Sequence, residues 1–198
     1  MSMTFATLKS RVAAILGRSP NDVVYEMVTA DINTELRLKT MESTTTLVEA
    51  TGNIALPADF LEVVDIYRDV DPRTSLRPAT TQSINRTSVS SGTPSVYAIV
   101  DGFLILNPQP NASVNMPLRY IASLADLSAD SDTNDVMTTY PSIYVYGAMA
   151  HHAALVGDER IALWKGAYES AKVAAQTASI KSRASGGAMV PVAGHATP

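Results

Sequence analysis

The sequence predicts an α+β protein: an antiparallel helical bundle from the N- and C-terminal helices, with an antiparallel β subdomain inserted between them. Three observations carry this. Apolar residues recur at helical spacing over 5–41 and again over 138–183. The intervening stretch, 43–125, turns to β-branched residues, short alternations and turn pairs. The tail, 185–198, has three glycines and two prolines and fits neither pattern. At 198 residues the whole is one domain's worth of chain, and it shows no internal repeat.

Taking the elements in order, Phe5, Leu8, Val12, Ile15 and Leu16 mark one face of a first helix ended by Gly17. Ser19-Pro20-Asn21-Asp22 reads as the next helix start, with Ser19 as N-cap and Pro20 in the first helical position. Val24, Met27, Val28, Ile32 and Leu36 form its buried stripe, carrying the helix to about Met41. Strands follow over Thr44 to Glu49, Ile54 to Leu56 and Leu61 to Tyr67, separated by Thr51-Gly52-Asn53 and Pro57-Ala58-Asp59. The polar stretch from Asp71 to Gly92 reads as loop, with a short helix near Gln82. Asp101-Gly102, between Tyr97-Ala98-Ile99-Val100 and Phe103-Leu104-Ile105-Leu106, supplies the positive φ angles of a two-residue hairpin. A last strand fits Leu118 to Ser123, and Pro117 before it suggests a sheet edge.

Pro141 opens a further helix that runs to about Val156, with Gly157 as terminator and Asp158 as the next N-cap. Val136 to Gly157 lacks Asp, Glu, Lys and Arg, but its purely apolar or Gly run is only Ile143 to Ala150. That is short of the roughly 20 residues a bilayer needs, so a buried helix is expected and no membrane association. The final helix places Ile161, Trp164, Tyr168, Ala171, Ala175 and Ala178 on a seam, large residues giving way to alanines. Glu159, Lys165, Glu169, Lys172 and Gln176 are assigned to its other face.

Composition narrows the chemistry. With 46% hydrophobic and 17% charged residues the chain can bury a core. Fifteen basic against 19 acidic residues, a net charge of −4, argue against a dedicated nucleic-acid binder. The absence of cysteine excludes disulfides and thiol chemistry. Met1 to Lys9 lacks the basic-then-apolar order of a secretory signal, so export by that route is not expected. No phosphate loop, dinucleotide fingerprint, nucleophile elbow or H-E-x-x-H motif occurs.

Three polar features invite a metal or acid–base reading. His151 and His152 are adjacent and so point about 100° apart on a helix, unable to hold one ion together. A hydrogen-bonded or interface histidine is the simpler reading. Asp130-x-Asp132-x-Asn134 opens like a calcium loop, but Asp135 and Pro141 stand where Gly and Glu are required. It is read as an acidic loop capping the next helix. Asp65, Asp69 and Asp71 are read as strand end and turn. No cofactor and no catalytic or metal site is expected.

Several segments in order carry a resemblance. They are Ala6-Thr7-Leu8-Lys9-Ser10-Arg11-Val12, Ile32-Asn33-Thr34-Glu35-Leu36-Arg37 and Leu56-Pro57-Ala58-Asp59-Phe60-Leu61-Glu62. Gly92-Thr93-Pro94-Ser95-Val96-Tyr97 then leads into the Asp101-Gly102 hairpin and Pro108. Tyr140-Pro141-Ser142-Ile143-Tyr144-Val145-Tyr146-Gly147-Ala148, Gly157-Asp158-Glu159-Arg160 and Trp164-Lys165-Gly166-Ala167-Tyr168 complete the series. In this order and spacing the chain resembles the head-to-tail adaptor (connector or head-completion) proteins of tailed bacteriophages.

The resemblance implies a non-enzymatic structural protein of the virion neck, assembled in the host cytoplasm. It implies a ring, about twelve copies in the usual case, between the portal and a tail or neck protein, with DNA passing through unread. A tail-completion or tail-tube role in the same particle is the alternative. In that setting Tyr144, Met149, Ala171, Ala175 and Ala178 are candidates for packing within and between subunits. Lys181 and Arg183 leave the end of the last helix positive, which the helix dipole alone would favour. With Met189, Val190, Pro191 and Val192 they are the candidates for docking on the portal.

Overall fold

The structure, a computed structural model, describes residues 3–49, 53–86 and 91–184. It is mixed α+β, with six α-helices and several antiparallel sheet pairings among those residues. In chain order the elements are α1 (Phe5–Leu16), α2 (Val23–Glu35), a 3-10 turn (Lys39–Met41), β1 (Glu42–Glu49), β2 (Asn53–Ala55) and β3 (Phe60–Arg68). Then come β4 (Thr74–Ser75), β5 (Arg77–Pro78), α3 (Thr81–Arg86), β6 (Ser91–Gly92), β7 (Val96–Val100), β8 (Phe103–Asn107), β9 (Gln109–Pro110) and β10 (Val114–Ala122). The chain closes with α4 (Asp135–Thr139), α5 (Pro141–Val156) and α6 (Ile161–Ala184). It divides into two compact units: the chain up to Met41 together with the chain from Leu124, and Glu42–Ser123.

In the Glu42–Ser123 unit, one sheet has the order β1-β10-β3-β4 and another β2-β8-β7-β5. Ile66, Leu104, Met116 and Leu118 are at the centre of its core, each no more than 2% exposed. The β7–β8 hairpin turns on Asp101 and Gly102 at φ 49° and 80°, the left-handed pair that a two-residue loop demands. The ladder along β3 is irregular. Its pairing to β10 shifts between Arg119 and Tyr120, so Val63 faces Tyr120 while Asp65 faces Arg119. A second shift falls between Ile121 and Ala122, so Val64 and Leu61 are both extra residues and Ile66 enters the core two strand positions out of phase with an unbroken ladder.

Pro117 is not at an edge. β10 is a central strand, paired to β1 on one side and β3 on the other. Proline is accommodated because the pairing to β3 is carried by Leu118 to Ala122, and Pro117 stands just outside it.

In the unit formed by the chain ends, α1 begins at an extended Thr4 whose hydroxyl accepts from the Thr7 N–H. Its first free N–H groups, on Phe5 and Ala6, donate to the Asp132 and Asp130 carbonyls at 2.8 and 3.0 Å. The acidic loop thus caps α1 through its backbone. α2 starts three residues later than Ser19-Pro20 suggests, with the Asn21 side chain accepting from the Val23 N–H at 3.0 Å. It also ends early, at Glu35. Leu36 is extended (φ −107°, ψ 144°), and Leu36 and Leu38 are both buried, whereas a helix continuing the one-sided stripe of α2 would turn residues two apart to different sides. The Asn33 amide then grips the chain where it re-enters this unit, donating to the Leu124 carbonyl at 3.0 Å and accepting the Leu124 N–H at 2.8 Å.

α4, absent from the sequence reading, is capped by Asn134, whose side chain accepts from the Met137 N–H at 2.7 Å. α5 is apolar all round and is covered accordingly, packing on α1, α2, α4 and α6. Its pivot is Gly147. A Cβ there would lie 2.7 Å from Val28 Cγ2 on α2 and 2.9 Å from Tyr168 Cε2 on α6. Three helices therefore approach at one point that admits only a hydrogen.

Two glycines in helices should respond oppositely to alanine. Gly147→Ala should destabilise by about 1–3 kcal/mol through overpacking. Gly166→Ala meets nothing within 4 Å and should stabilise by about 0.5–1 kcal/mol through helix propensity. Denaturant unfolding of both variants reads the contrast, and an equal response would remove Gly147 as a packing pivot.

Candidate subunit interface and docking surface

The interior of the helical unit consumes polar groups that might otherwise suggest chemistry. Thr29 donates its hydroxyl to the Tyr25 carbonyl at 3.0 Å, so its oxygen accepts from the Tyr144 hydroxyl at 3.2 Å. Tyr144 in turn accepts from the Asn134 amide at 2.9 Å. Each group in this relay has a defined donor or acceptor role, joining α2, the cap of α4 and α5. Burial is the main cause raising the Tyr144 phenol's pKa. Tyr144 and Met149 are both fully buried in their own subunit.

A second polar seam joins α2 to α5 and α6. His151 Nε2 lies 2.8 Å from Asp31 Oδ2, and the Tyr168 hydroxyl donates to the same oxygen at 3.3 Å. Lys172, 6% exposed, reaches Glu35 at 2.5 Å and Glu169 at 2.7 Å, over the Tyr168 ring. Burial alone would lower the Lys172 pKa, but its hydrogen bonds to Glu169 and Glu35 win and the pKa is raised. Tyr168 is shifted far upward, by burial first and the Asp31 charge second. Lys172 is therefore not on the solvent face assigned to it. Asp31 and Glu35 were missed by sequence reasoning, although their four-residue spacing on α2 matches the spacing of Tyr168 and Lys172 on α6.

His152 is buried, with Nε2 finding no hydrogen-bonding partner among the described residues. Its pKa is held below the ordinary value, chiefly by burial and next by Arg18. Asp132 accepts the Ser128 and Ala129 N–H groups at 2.9 and 2.8 Å, Asp130 meets Lys9 at 2.6 Å, and Asn134 caps α4. Asp69 pairs with Arg73 at 3.2 Å. Among the described residues no three His, Asp or Glu side chains gather as a metal site would, and no helix is long and apolar enough to cross a membrane.

Of the alanine seam, Ala175 is buried, Ala171 half-buried and Ala178 exposed. Ser179, 1% exposed, takes the inward position instead and accepts from the Lys39 N–H at 2.7 Å. The offset follows from the helix: positions 168, 172, 175 and 179 share a side, while 178 has rotated out of it. Ile15 and Met27, read as core, are 49% and 37% exposed, and Tyr25 and Thr29 are buried on α2 instead.

The positive end of α6 is larger than Lys181 and Arg183. Lys39 reaches the Ser182 carbonyl and hydroxyl at 3.0 and 3.1 Å, and Arg183 donates to the Arg37 carbonyl at 3.1 Å. Arg37 and Lys39 are thereby brought to the same end of the helix. Met189, Val190, Pro191 and Val192 lie outside the described residues. Elsewhere apolar side chains stand open, notably Leu163, Val173 and Ile180 on α6, and a groove of about 410 Å³ runs between α1 and α5 beside Ile15, Pro141 and Val145.

Polar groups are tied into internal packing, while apolar side chains stand open on α6 and cations gather at its end. The chain belongs to the SU10 adaptor protein family, a phage head-tail adaptor family whose model matches residues 3–192. The chain is thus a phage structural adaptor. No curated protein matches it.

The Lys172 cluster should be asymmetric to mutation. Replacing both Glu35 and Glu169 by Gln strands a buried ammonium and should cost about 1.5–3 kcal/mol. Lys172→Met leaves two carboxylates that water can reach (50% and 65% exposed) and should cost under about 1 kcal/mol. Urea unfolding of the two variants measures the difference.

For His152 the folded pKa lies below the unfolded one, so its neutral form supports the fold. That contribution is complete above about pH 6.5 and is lost as pH falls through the folded value. His152→Gln should accordingly show a shallower loss of stability below pH 6.5 than the parent. Identical pH profiles would contradict this.

Proposed function

We propose that this chain is a non-enzymatic structural protein that forms a ring of about twelve copies between the portal and the tail or neck protein, continuing the DNA channel. The observation that carries the reading is the family match, which runs through both compact units and not one alone. The helices of the chain ends act as an antiparallel bundle that builds the ring. Glu42–Ser123 acts as an inserted β subdomain turned outward or toward the next ring. The exposed apolar helix faces support assembly into a larger body. A net charge of −4 suits a channel through which DNA slides without being held.

The end of α6 is the proposed contact with the portal. Arg37, Lys39, Lys181 and Arg183 offer a cationic surface to an acidic partner, and Met189, Val190, Pro191 and Val192 are the further docking candidates. The particle assembles in the host cytoplasm and the protein takes no cofactor.

Light scattering and negative-stain imaging of the full chain, with and without the portal of its own phage, test this. A ring on the portal supports the adaptor; assembly with tail components and indifference to the portal would make it a tail-completion protein. Lys181→Glu with Arg183→Glu, and removal of 186–198, should each weaken portal binding by at least about tenfold. The unfolding midpoint should stay at the parent value for the truncation and fall only slightly for the double charge reversal, which loses the exposed Arg183 bond to the Arg37 carbonyl. Undiminished binding in both would remove the docking role.

A further inference from the structure

The two four-stranded sheets of Glu42–Ser123 end in β1 and β4, and in β2 and β5. Three of these four ends are blunted. β4 and β5 are two residues each and β2 three, too short to template a further strand. Beyond β4 the open part of β3 carries the extra residues Leu61 and Val64, which break the even spacing that a partner strand would follow. The fourth end, β1, has no such protection. Its eight residues, Glu42-Ser43-Thr44-Thr45-Thr46-Leu47-Val48-Glu49, pair with β10 without a shift and include no Lys, Pro or Gly.

The register fixes which main-chain groups of β1 face outward. Thr46 stands opposite Pro117, which has no N–H to give. Val48 stands opposite Asn115, whose carbonyl accepts the Asp69 N–H at 3.0 Å on the other side of β10. Both are therefore pairs that exchange no main-chain bonds, and bonding to β10 falls to Ser43, Thr45 and Leu47. The N–H and C=O groups of Thr44, Thr46 and Val48 point away from β10, and among the described residues nothing pairs with them. Their side chains are exposed as well, Val48 at 57%. Thr and Val are good strand formers, so the edge is already shaped to receive another strand.

We infer that β1 of one free chain pairs with β1 of a second copy, antiparallel about a two-fold axis near Thr46, so that two sheets join edge to edge. Outward main-chain groups at strand spacing are matched by another strand, and among the described sheet ends of a second copy only β1 is unblunted. Charge sets the direction. Ser43 to Val48 are uncharged, so the edge meets itself without repulsion, and Glu42 leans to Arg119 at 4.0 Å within its own sheet. A parallel pairing would bring the two Glu42 side chains together, whereas the antiparallel one sends them to opposite ends, about 27 Å apart. The shared edge from Thr44 to Val48 spans about 14 Å. Such a contact buries on the order of 600 Å² in total, below the roughly 1,200 Å² of a stable dimer, so the pair is weak and concentration-dependent. A two-fold contact does not recur around a cyclic ring; it belongs to the free chain and does not rest on the ring reading.

Sedimentation equilibrium of the full-length chain without portal should show a reversible monomer–dimer equilibrium. Thr46→Lys and, separately, Val48→Lys set a cation on the exposed edge. Each should weaken dimerisation at least tenfold and leave the unfolding midpoint at the parent value. Monomer at every concentration the chain tolerates would overturn the inference, and so would a dimer that both variants leave intact. A parent chain that sediments only as larger rings, indifferent to both lysines, would overturn it while supporting the ring reading. The chain has no cysteine, so an introduced thiol reports on itself alone. Thr46→Cys treated with a short bismaleimide should give dimer, and Ser170→Cys, on the exposed side of α6, only monomer. Dimer from Ser170→Cys with none from Thr46→Cys would move the contact to the helices and overturn the pairing of β1.

Discussion

The helical unit depends on how closely α2, α5 and α6 meet at Gly147. With Val28 and Tyr168 at the position of a missing methyl group, the three axes are held near enough for long polar side chains to span them. Asp31 then reaches both His151 and Tyr168, and Glu35 reaches Lys172. Push the helices apart by the width of a methyl and these contacts stretch together, because their reach is fixed by covalent geometry. Packing comes first here, and the ion pairs follow from it.

This ordering also accounts for where the polar residues that look suggestive in the sequence find their surroundings. The paired histidines point to different surroundings, one to a carboxylate of another helix and one to a buried position near the Arg18 and Asp158 charges. The acidic loop spends its carbonyls on α1 and one carboxylate on its own turn. Outward, α6 leaves Leu163, Val173 and Ile180 open, and exposed apolar groups of this kind suit contact with other proteins.

The elements most legible in the sequence were those fixed by local chemistry. Asp101-Gly102 specifies its turn by backbone sterics, and α1 ends at Gly17 as read. Positions decided by distant contacts were not legible. The bulge in β3 depends on its register with β10, and Pro117 is tolerated centrally only because of where that pairing stops. The early end of α2 reflects two leucines that both find a core. Lys172 looked like a solvent-face residue because its partners, on α2, are far away in sequence. On the last helix the inward seam passes through Ser179 and leaves Ala178 exposed, a drift that comes with extending a three-and-four spacing over many turns.

The Asn33 amide, gripping both backbone groups of Leu124, and the Ser179 hydroxyl, holding the Lys39 N–H, anchor the helical unit at the two points beside which Glu42–Ser123 departs and returns. From the helices' side that whole segment is an excursion between fixed posts. The entropy of closing an excursion rises only with the logarithm of its length, about 0.6 kcal/mol per doubling. A change in the length of this segment therefore costs the helices little, because their two anchoring bonds stay where they are.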